Sequence, residues 1–548
     1  MRKPLLVALV AIVCIIIVLV SLLHGTGILS ASTTKVQSSQ GASLEDYVVL
    51  PVDSPSSLIT GNIMTQKGAP TGSLIYEGLV TKGRTGDYTG WLADSWESSG
   101  DGSTWTFHLV RNARWHDGVP FTSEDVKFTH DYMKANNLPM AFVLSDVESV
   151  ECPDQYTAVF RLSHPYPVFP DRLAQSPGIG VYPAHIFKDV SDPASWVDPD
   201  PIGTGPFMFQ DREPGLFRMQ ANPSYHGEGS EIAGVILKVV SGIDNQVLAL
   251  KKGDIDAVSS LPAAVGMSLA NEENIKVYTI PDTTGYELAF NTQVYPADNP
   301  LFRKAISHAV DRDRISTLLG YARPNPTTFL IPGVAGDFVN PDITGLYGYN
   351  IPLAEELLHD AGFGKDASGS LIGPDGKAVE LTMPLGGKGA IGGADEKIVT
   401  IFREDLARLG IGLKTVAYDN EKEYRKAMST APVFIDAMPS GLHDDPDDLV
   451  NFAYTPLGDE NYYRYHNPGY DALAQDVRNT TDRESRKETG YLMQEILARD
   501  IPTVPICSTD TVAAYRTDRF RGWEEAVDAN GVVDMRVLTV IRPVDASS

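Results

Sequence analysis

The chain has 548 residues, 43% of them hydrophobic and 21% charged, a composition that excludes a disordered tail or a multi-span membrane protein and a length too great for one hydrophobic core. Asp and Glu outnumber Lys and Arg by 71 to 45, for a formal charge of −26. A surface that acidic disfavours nucleic acid and anionic lipid heads, so no nucleic-acid partner is expected.

In chain order, Met1-Arg2-Lys3 is a basic flank, and Leu5 to Leu23 carries no charge and only Ser21 as a polar residue. At helical rise this run spans about 28 Å, the thickness of a bilayer core. It predicts a transmembrane signal anchor over 1–23, with cleavage near Ser30-Ala31 as the alternative reading as a signal peptide. Arg2 and Lys3 then stay cytoplasmic and the rest of the chain is outside, tethered to the membrane. Val13 before Cys14 is not the small residue that a lipoprotein site wants. Residues 24–46, rich in Ser, Thr and Gly, read as a linker. Cys152 and Cys507 are the cysteines of the exported part. A disulfide between them and two free thiols are both open readings.

Strand and helix signals then alternate, which predicts an α/β fold. Thr104 to Val110 alternates with period two and reads as a half-buried strand. Thr122 caps a helix with an acidic first turn at Glu124 and Asp125. Val235 to Val240 is a strand, and Asp244 to Lys251 a helix that stops at Gly253. Ala354 to Ala361 is a helix ending at Gly362. Ile398, Val399, Phe402, Leu406 and Leu409 share one helical face, and Gly410 ends that helix.

An ordered series of blocks runs from about residue 47 to about 520. It includes Ile75-Tyr76-Glu77-Gly78-Leu79-Val80, Leu92-Ala93-Asp94-Ser95-Trp96, Trp115-His116-Asp117-Gly118-Val119-Pro120-Phe121-Thr122 and Pro201-Ile202-Gly203-Thr204-Gly205-Pro206-Phe207. Lys252-Gly253-Asp254-Ile255-Asp256, Phe290-Asn291-Thr292, Phe302-Arg303-Lys304-Ala305-Ile306, Ala309-Val310-Asp311-Arg312, Tyr470-Asp471-Ala472-Leu473 and Ile501-Pro502-Thr503-Val504-Pro505-Ile506 follow. This series resembles the oligopeptide, dipeptide and nickel type (family 5) of solute-binding proteins that serve ABC importers. Physically the same blocks are turns and caps: Gly-Thr-Gly-Pro is a tight turn, and Asp117-Gly118 a turn dipeptide.

The resemblance implies a two-lobed periplasmic-binding-protein-like fold of class II, the large type with an extra domain in lobe one. Lobe one would be 47–284 plus 505–548, with the extra domain at about 75–202, and lobe two would be 285–504. Two parallel crossings, Gly285 to Thr292 and Thr503 to Thr511, would form the hinge. The function implied is an extracytoplasmic, monomeric binder. It would capture a peptide-like or other small polar solute and hand it to a membrane permease with its ATPase. Alternatives are a tethered sensor of the same fold, or a binder of a metal chelate or oligosaccharide.

By position, the residues assigned to the solute are Met438, Pro439, Ser440, Gly441, Leu442 and His443, with Asn291 near the hinge and Tyr76 from lobe one. In the family's peptide binders an acid four residues before the proline at 446 pairs with the α-amine. Here that residue is Leu442, and a buried amine without a counter-charge is costly. The arginines of the nickel binders are missing from Gln175 to Pro183, although Arg172 is close. Asp444, Asp445, Asp447 and Asp448 read either as a cation site or as a solvated loop, and their spacing matches no calcium loop. Gly386 to Gly393 lacks the Gly-Lys-Ser/Thr of a phosphate loop. The run Asn461 to Tyr465 reads as core and lobe-surface packing, with one tyrosine facing the cleft as the alternative. No catalytic triad, metal-ligand spacing or cofactor motif is present, so neither enzyme activity nor a metal or cofactor is expected.

Overall fold

Alternation of apolar and polar residues becomes sheet where one face has something to cover. In Thr104–Leu109, Trp105, Phe107 and Leu109 point inward. This strand lies inside an antiparallel sheet whose order is 93–98, 104–109, 157–162, 147–154. Helix Ser123–Ala135 packs on it, and the Asp125 carboxylate reaches back to the backbone N–H of Thr122 at 3.0 Å. A second sheet places Tyr47–Val52 parallel to Gly234–Val239, followed by 216–221 and 207–213. Both sheets feed one core, which runs from Val48 to Leu237 and is completed by Ala513, Tyr515, Phe520, Trp523, Leu538 and Ile541 from the far end of the chain.

The computed structural model describes residues 44–55, 74–82, 88–174, 180–193, 196–320, 322–325, 329–331, 335–386, 394–418, 420–438, 445–446, 449–450, 461–524 and 535–544. The expected anchor 1–23, and the linker up to 43, lie outside them. Among the described residues no helix is long and apolar enough to cross a membrane.

A third sheet joins the body of the protein. Its order is 257–261, 503–516, 275–290, 433–437, with 322–324 also paired to 503–516. Strands Ile275–Phe290 and Thr503–Arg516 pair along nearly their whole lengths. Their outer halves, with Val258, Leu261, Ile275, Val512 and Ala514, pack into a small core with helix Ile243–Lys252. Their inner halves are covered on both faces. Leu288, Phe290, Val433, Ile435, Val504 and Ile506 meet helices 300–309, 312–319, 351–360 and 394–409. Ala289 and Phe434 turn to the other side, against helices 468–479 and 483–500. The helix ends follow the sequence, with Gly253 and Gly410 in left-handed backbone.

One expectation is corrected. The two crossings are antiparallel, not parallel. The chain leaves on the first and returns on the second, so neighbouring crossings must run in opposite directions. Their register breaks twice, between Ile280 and Thr284 and between Tyr286 and Glu287.

The blocks that carry the family resemblance meet in space. The Trp115–Phe121 hairpin and the Gly203-Thr204-Gly205 turn are joined by His116. Its backbone N–H donates to Gly203 O at 2.8 Å, Nδ1 accepts from Gly203 N–H at 3.2 Å, and Nε2 donates to Gly205 O at 3.0 Å. That arrangement uses the neutral imidazole, and burial pulls its pKa down to about 4. The turn itself lies on residues 74–75, and a Cβ on Gly203 would collide with the carbonyl oxygen of Ile75.

Two outcomes follow. Gly203→Ala is expected to cost more than about 4 kcal/mol, read as loss of the cooperative denaturation transition. Because the folded pKa of His116 is depressed, its share of stability is present above pH 6.5 and is lost as pH falls from 6.5 towards about 4. Urea midpoints across that range should decline by the equivalent of roughly 2 kcal/mol, and His116→Asn should flatten the decline.

Candidate functional site

The third sheet passes between the two sets of cores at Gly285 and Cys507, which are register partners of Ser508 and Tyr286. Gly285 is required here by close approach. A Cβ would come within 2.7 Å of Met438 Sδ and 3.1 Å of Cys507 O. The Met438 N–H donates to Gly285 O at 3.0 Å, and Asn325 Nδ2 lies 3.5 Å from the Met438 sulfur. Asn325 is itself tied to the second crossing through Ile506 O at 3.0 Å. Met438, the first of the residues assigned to the solute, is thus buried against the crossing point. Cys507 is fully buried there, and burial pushes its thiol up to about 12. Cys152 and Cys507 are both free, so the disulfide reading falls away.

Next to this point two carboxylates face each other. Glu287 and Asp436 are directly opposite on adjacent strands and therefore share a face. Glu287 is fully buried. The Tyr463 hydroxyl lies between them, bonded to Glu287 and 3.3 Å from Asp436. Tyr463 belongs to the aromatic run that the sequence reads as core packing, and it is buried in the core with Phe434. Glu287 carried no sequence signal, because a lone acid in an apolar strand reads as a pattern error until its partners are known. Nearby, Arg323 pairs with Asp510 at 2.9 Å, on strands joined at the same crossing.

Of the acidic cluster only Asp445 is among the described residues, and it fits neither sequence reading. Asp445 is neither a cation ligand nor a solvated loop residue. It is buried and takes a forked ion pair from the buried guanidinium of Arg486, with Nε to Oδ2 at 2.9 Å. Arg486 also donates to Thr480 O at 3.1 Å. Pro446 packs on Gly490, where a Cβ would lie 2.8 Å away. Pro439, Ser440, Gly441, Leu442 and His443 lie outside the described residues, as do Asp444, Asp447, Asp448, 175–179 of the nickel comparison and 387–393 of the glycine loop. Their flanks are fixed at Met438 and Asp445.

The remaining assigned residues have internal partners. Asn291 is buried, donates to Ser429 O at 2.9 Å and accepts from Gln293 N–H at 3.2 Å. Tyr76 is buried with its ring on Tyr182 and its hydroxyl 3.4 Å from Asp198, and burial holds its pKa well above the ordinary value. Beside it, the fully buried Glu77 accepts from Tyr225 Oη at 2.7 Å and pairs with His226 Nε2 at 3.0 Å. Of the hinge residues, Thr503 bonds Leu288 O at 3.2 Å and Thr511 pairs in register with Ile280. Thr292 lies just past the end of the first strand, bonded to Tyr463 O and Arg464 O. Among the described residues no group of three His, Cys, Asp or Glu side chains is placed to hold a metal ion.

Arg486→Met should leave Asp445 buried without a counter-charge and lower the unfolding free energy by about 3–5 kcal/mol. The double variant with Asp445→Leu should recover a large share, as measured by denaturant titration of all three proteins.

Comparison with known proteins supplies the rest. The dipeptide-binding protein of Escherichia coli is 24% identical over 453 residues, covering 77% of this chain and 81% of that protein. Proteins of several Brucella species are 30% identical over 283 residues, so the match spans about half the length of those curated relatives. The solved structure of Campylobacter jejuni NikZ in complex with Ni(L-His) matches with a TM-score of 0.71 at 25% identity, covering 91% of this chain and 99% of that one. The Bacillus subtilis oligopeptide-binding protein AppA, solved with a nonapeptide, has the same fold, with a TM-score of 0.71 at 21% identity over 91% of this chain and 99% of that one. Residues 87–463 match the model for the bacterial extracellular solute-binding proteins, family 5. The two sets of cores joined by an out-and-back pair of strands are therefore the two lobes of that fold, and the chain belongs to family 5 of the bacterial extracellular solute-binding proteins.

Proposed function

We propose that this protein captures a small solute between its two lobes, outside the cytoplasm, and delivers it to the permease of an ABC importer. The observation that carries the reading is the crossing sheet. Its two antiparallel strands connect separately packed halves, and their register breaks at the crossing, between Ile280 and Thr284 and between Tyr286 and Glu287. A break in a ladder is where two rigid halves can turn against each other at least cost in hydrogen bonds. Closure takes the solute out of water, and the desolvated contacts then supply specificity without any reactive group. The hinge is placed at Gly285–Thr292 and Thr503–Thr511, and the N-terminal segment is read as the tether.

The solute is a peptide-like or other small polar molecule. Typical dipeptide binding through an amine salt bridge is disfavoured, because Leu442 occupies the position of the partnering acid. Met438, whose main chain is stitched to Gly285, leads into the stretch Pro439 to His443 assigned to the solute. Tyr76 and Asn291 would reach the solute only if the open and closed forms differ in the partners described above.

Native mass spectrometry of the full chain as purified is expected to show a retained small molecule. Calorimetry should show little or no dipeptide binding by the wild type and a gain on Leu442→Asp. Tight wild-type binding that needs a free α-amine would overturn the pairing argument and move the role to Asp444 or Asp436. Turnover of a peptide or glycoside library, abolished by a point substitution, would overturn the binding reading itself.

A further inference from the structure

An asparagine followed two residues later by Ser or Thr is the acceptor triplet for N-linked sugar in exported proteins, provided that the residue between them is not proline. The sequence contains three triplets of this form: Asn222-Pro223-Ser224, Asn325-Pro326-Thr327 and Asn479-Thr480-Thr481. The first two are closed to this chemistry twice over. A middle proline fixes φ and removes the backbone N–H, so the triplet cannot bend to present its asparagine. Both asparagines are also buried and engaged. Asn222 Nδ2 donates to Gly205 O at 3.1 Å, and the Asn325 N–H donates to Ile506 O at 3.0 Å.

The third triplet is built in the opposite way. Helix Pro468–Asn479 ends on Asn479, and the next helix opens at Arg483. Between them Thr480 and Asp482 are extended, with φ −102° and ψ 122° at Thr480 and φ −74° and ψ 124° at Asp482. Asn479 and Thr481 are exposed, and the exposed surface continues through residue 485. Neither the Asn479 amide nor the Thr481 hydroxyl has a partner among the described residues. Thr480, between them, is half-buried and faces inward. Its Oγ1 donates to Asp476 O at 2.6 Å, and its carbonyl accepts from Arg486 Nη1 at 3.1 Å. The buried arginine holds the turn from beneath, and the two side chains that the reaction needs stand on the solvent side.

We infer that Asn479 is an N-glycosylation site, the acceptor of a sugar chain from a polyprenyl-phosphate-linked donor. The Asn479 side-chain nitrogen displaces the phosphate at the anomeric carbon of the sugar. An N–C bond forms and the C–O bond to phosphate breaks. The phosphate leaves with the bonding pair, and one amide proton passes to a base of the transferase. The Thr481 hydroxyl is the group by which the transferase recognises the triplet. The inference rests on the extracytoplasmic location in the proposed function, because donor and transferase act on the outer side of the membrane. A sugar chain at this position covers an exposed turn of the kind that proteases nick.

The test is mass spectrometry of the protein purified from the cells that naturally make it, intact and as peptides. The expected result is a mass above that of the polypeptide by one or more sugar residues, with fragment ions placing the addition on Asn479. Asn479→Gln and Thr481→Val should each abolish the addition, and Thr481→Ser should keep it. Both positions are exposed, so the variants should retain the wild-type thermal midpoint, which separates loss of the acceptor from loss of the fold. An Asn479 peptide recovered only in unmodified form would overturn the inference, as would full modification of Thr481→Val. Protease treatment of spheroplasts reads the location independently. A chain that is cleaved and unmodified overturns the site alone, and one that is protected and unmodified overturns the extracytoplasmic reading with it.

Discussion

Backbone pairing between Ile275–Phe290 and Thr503–Arg516 is the constraint on which the rest of the molecule depends. These two strands take part in the cores on both sides of the crossing, and every other element belongs to one side. Residues 513–541 complete the first lobe's core, and Val504, Ile506 and Cys507 are part of the second's. A continuous ladder would fix the lobes rigidly. Two register breaks at the crossing leave the outer and inner halves of the ladder strong and the middle weak. The smallest residue available, Gly285, stands at the weak point, with Met438 packed directly on it.

Several charges inside the protein fix chain segments to one another. Arg519 Nη1 donates to both oxygens of Asp256 and its Nη2 to the carbonyls of Glu45 and Tyr47, binding the first strand to the segment after 503–516. Burial still pushes Asp256 up to about 6 against that favourable partner, so desolvation outweighs the ion pair. Arg486 holds Asp445 through a true fork, with Nε and Nη2 each on one oxygen. Glu77 is held by Tyr225 and His226 within the core shared by the first two sheets. Each pair joins residues distant in sequence at a place where apolar packing alone would tolerate a slip.

Much of the architecture was legible because it rests on local rules. The capped helix at Ser123, the strand at Thr104 and the glycine stops at Gly253 and Gly410 depend on a few adjacent residues. The ordered blocks pointed to the family, and their shared physical reason appears only in space, where His116 joins the hairpin at Asp117-Gly118 to the turn at Gly203. What the sequence could not carry was pairing at a distance. Asp445 looked like one of four loop acids until Arg486, 41 positions on, was found against it. Glu287 had no reading before Asp436 and Tyr463 were placed beside it. The direction of the crossings was misread because strand signals carry no orientation. The partners of Tyr76 and Asn291, Asp198 and Ser429, are far from them in sequence and carry no local signal.

The returning strand has a consequence for how the protein is made. Strands 257–261 and 275–290 are laid down at mid-chain, yet the strand that stands between them arrives only with residues 503–516. The sheet of Val48 pairs without the C-terminal segment, whose Trp523 and Ile541 complete only its core. During synthesis the third sheet cannot be completed until residues 503–516 have been added, although the first two sheets can pair within residues 47–239. The body therefore locks together last through the same strand that forms the crossing.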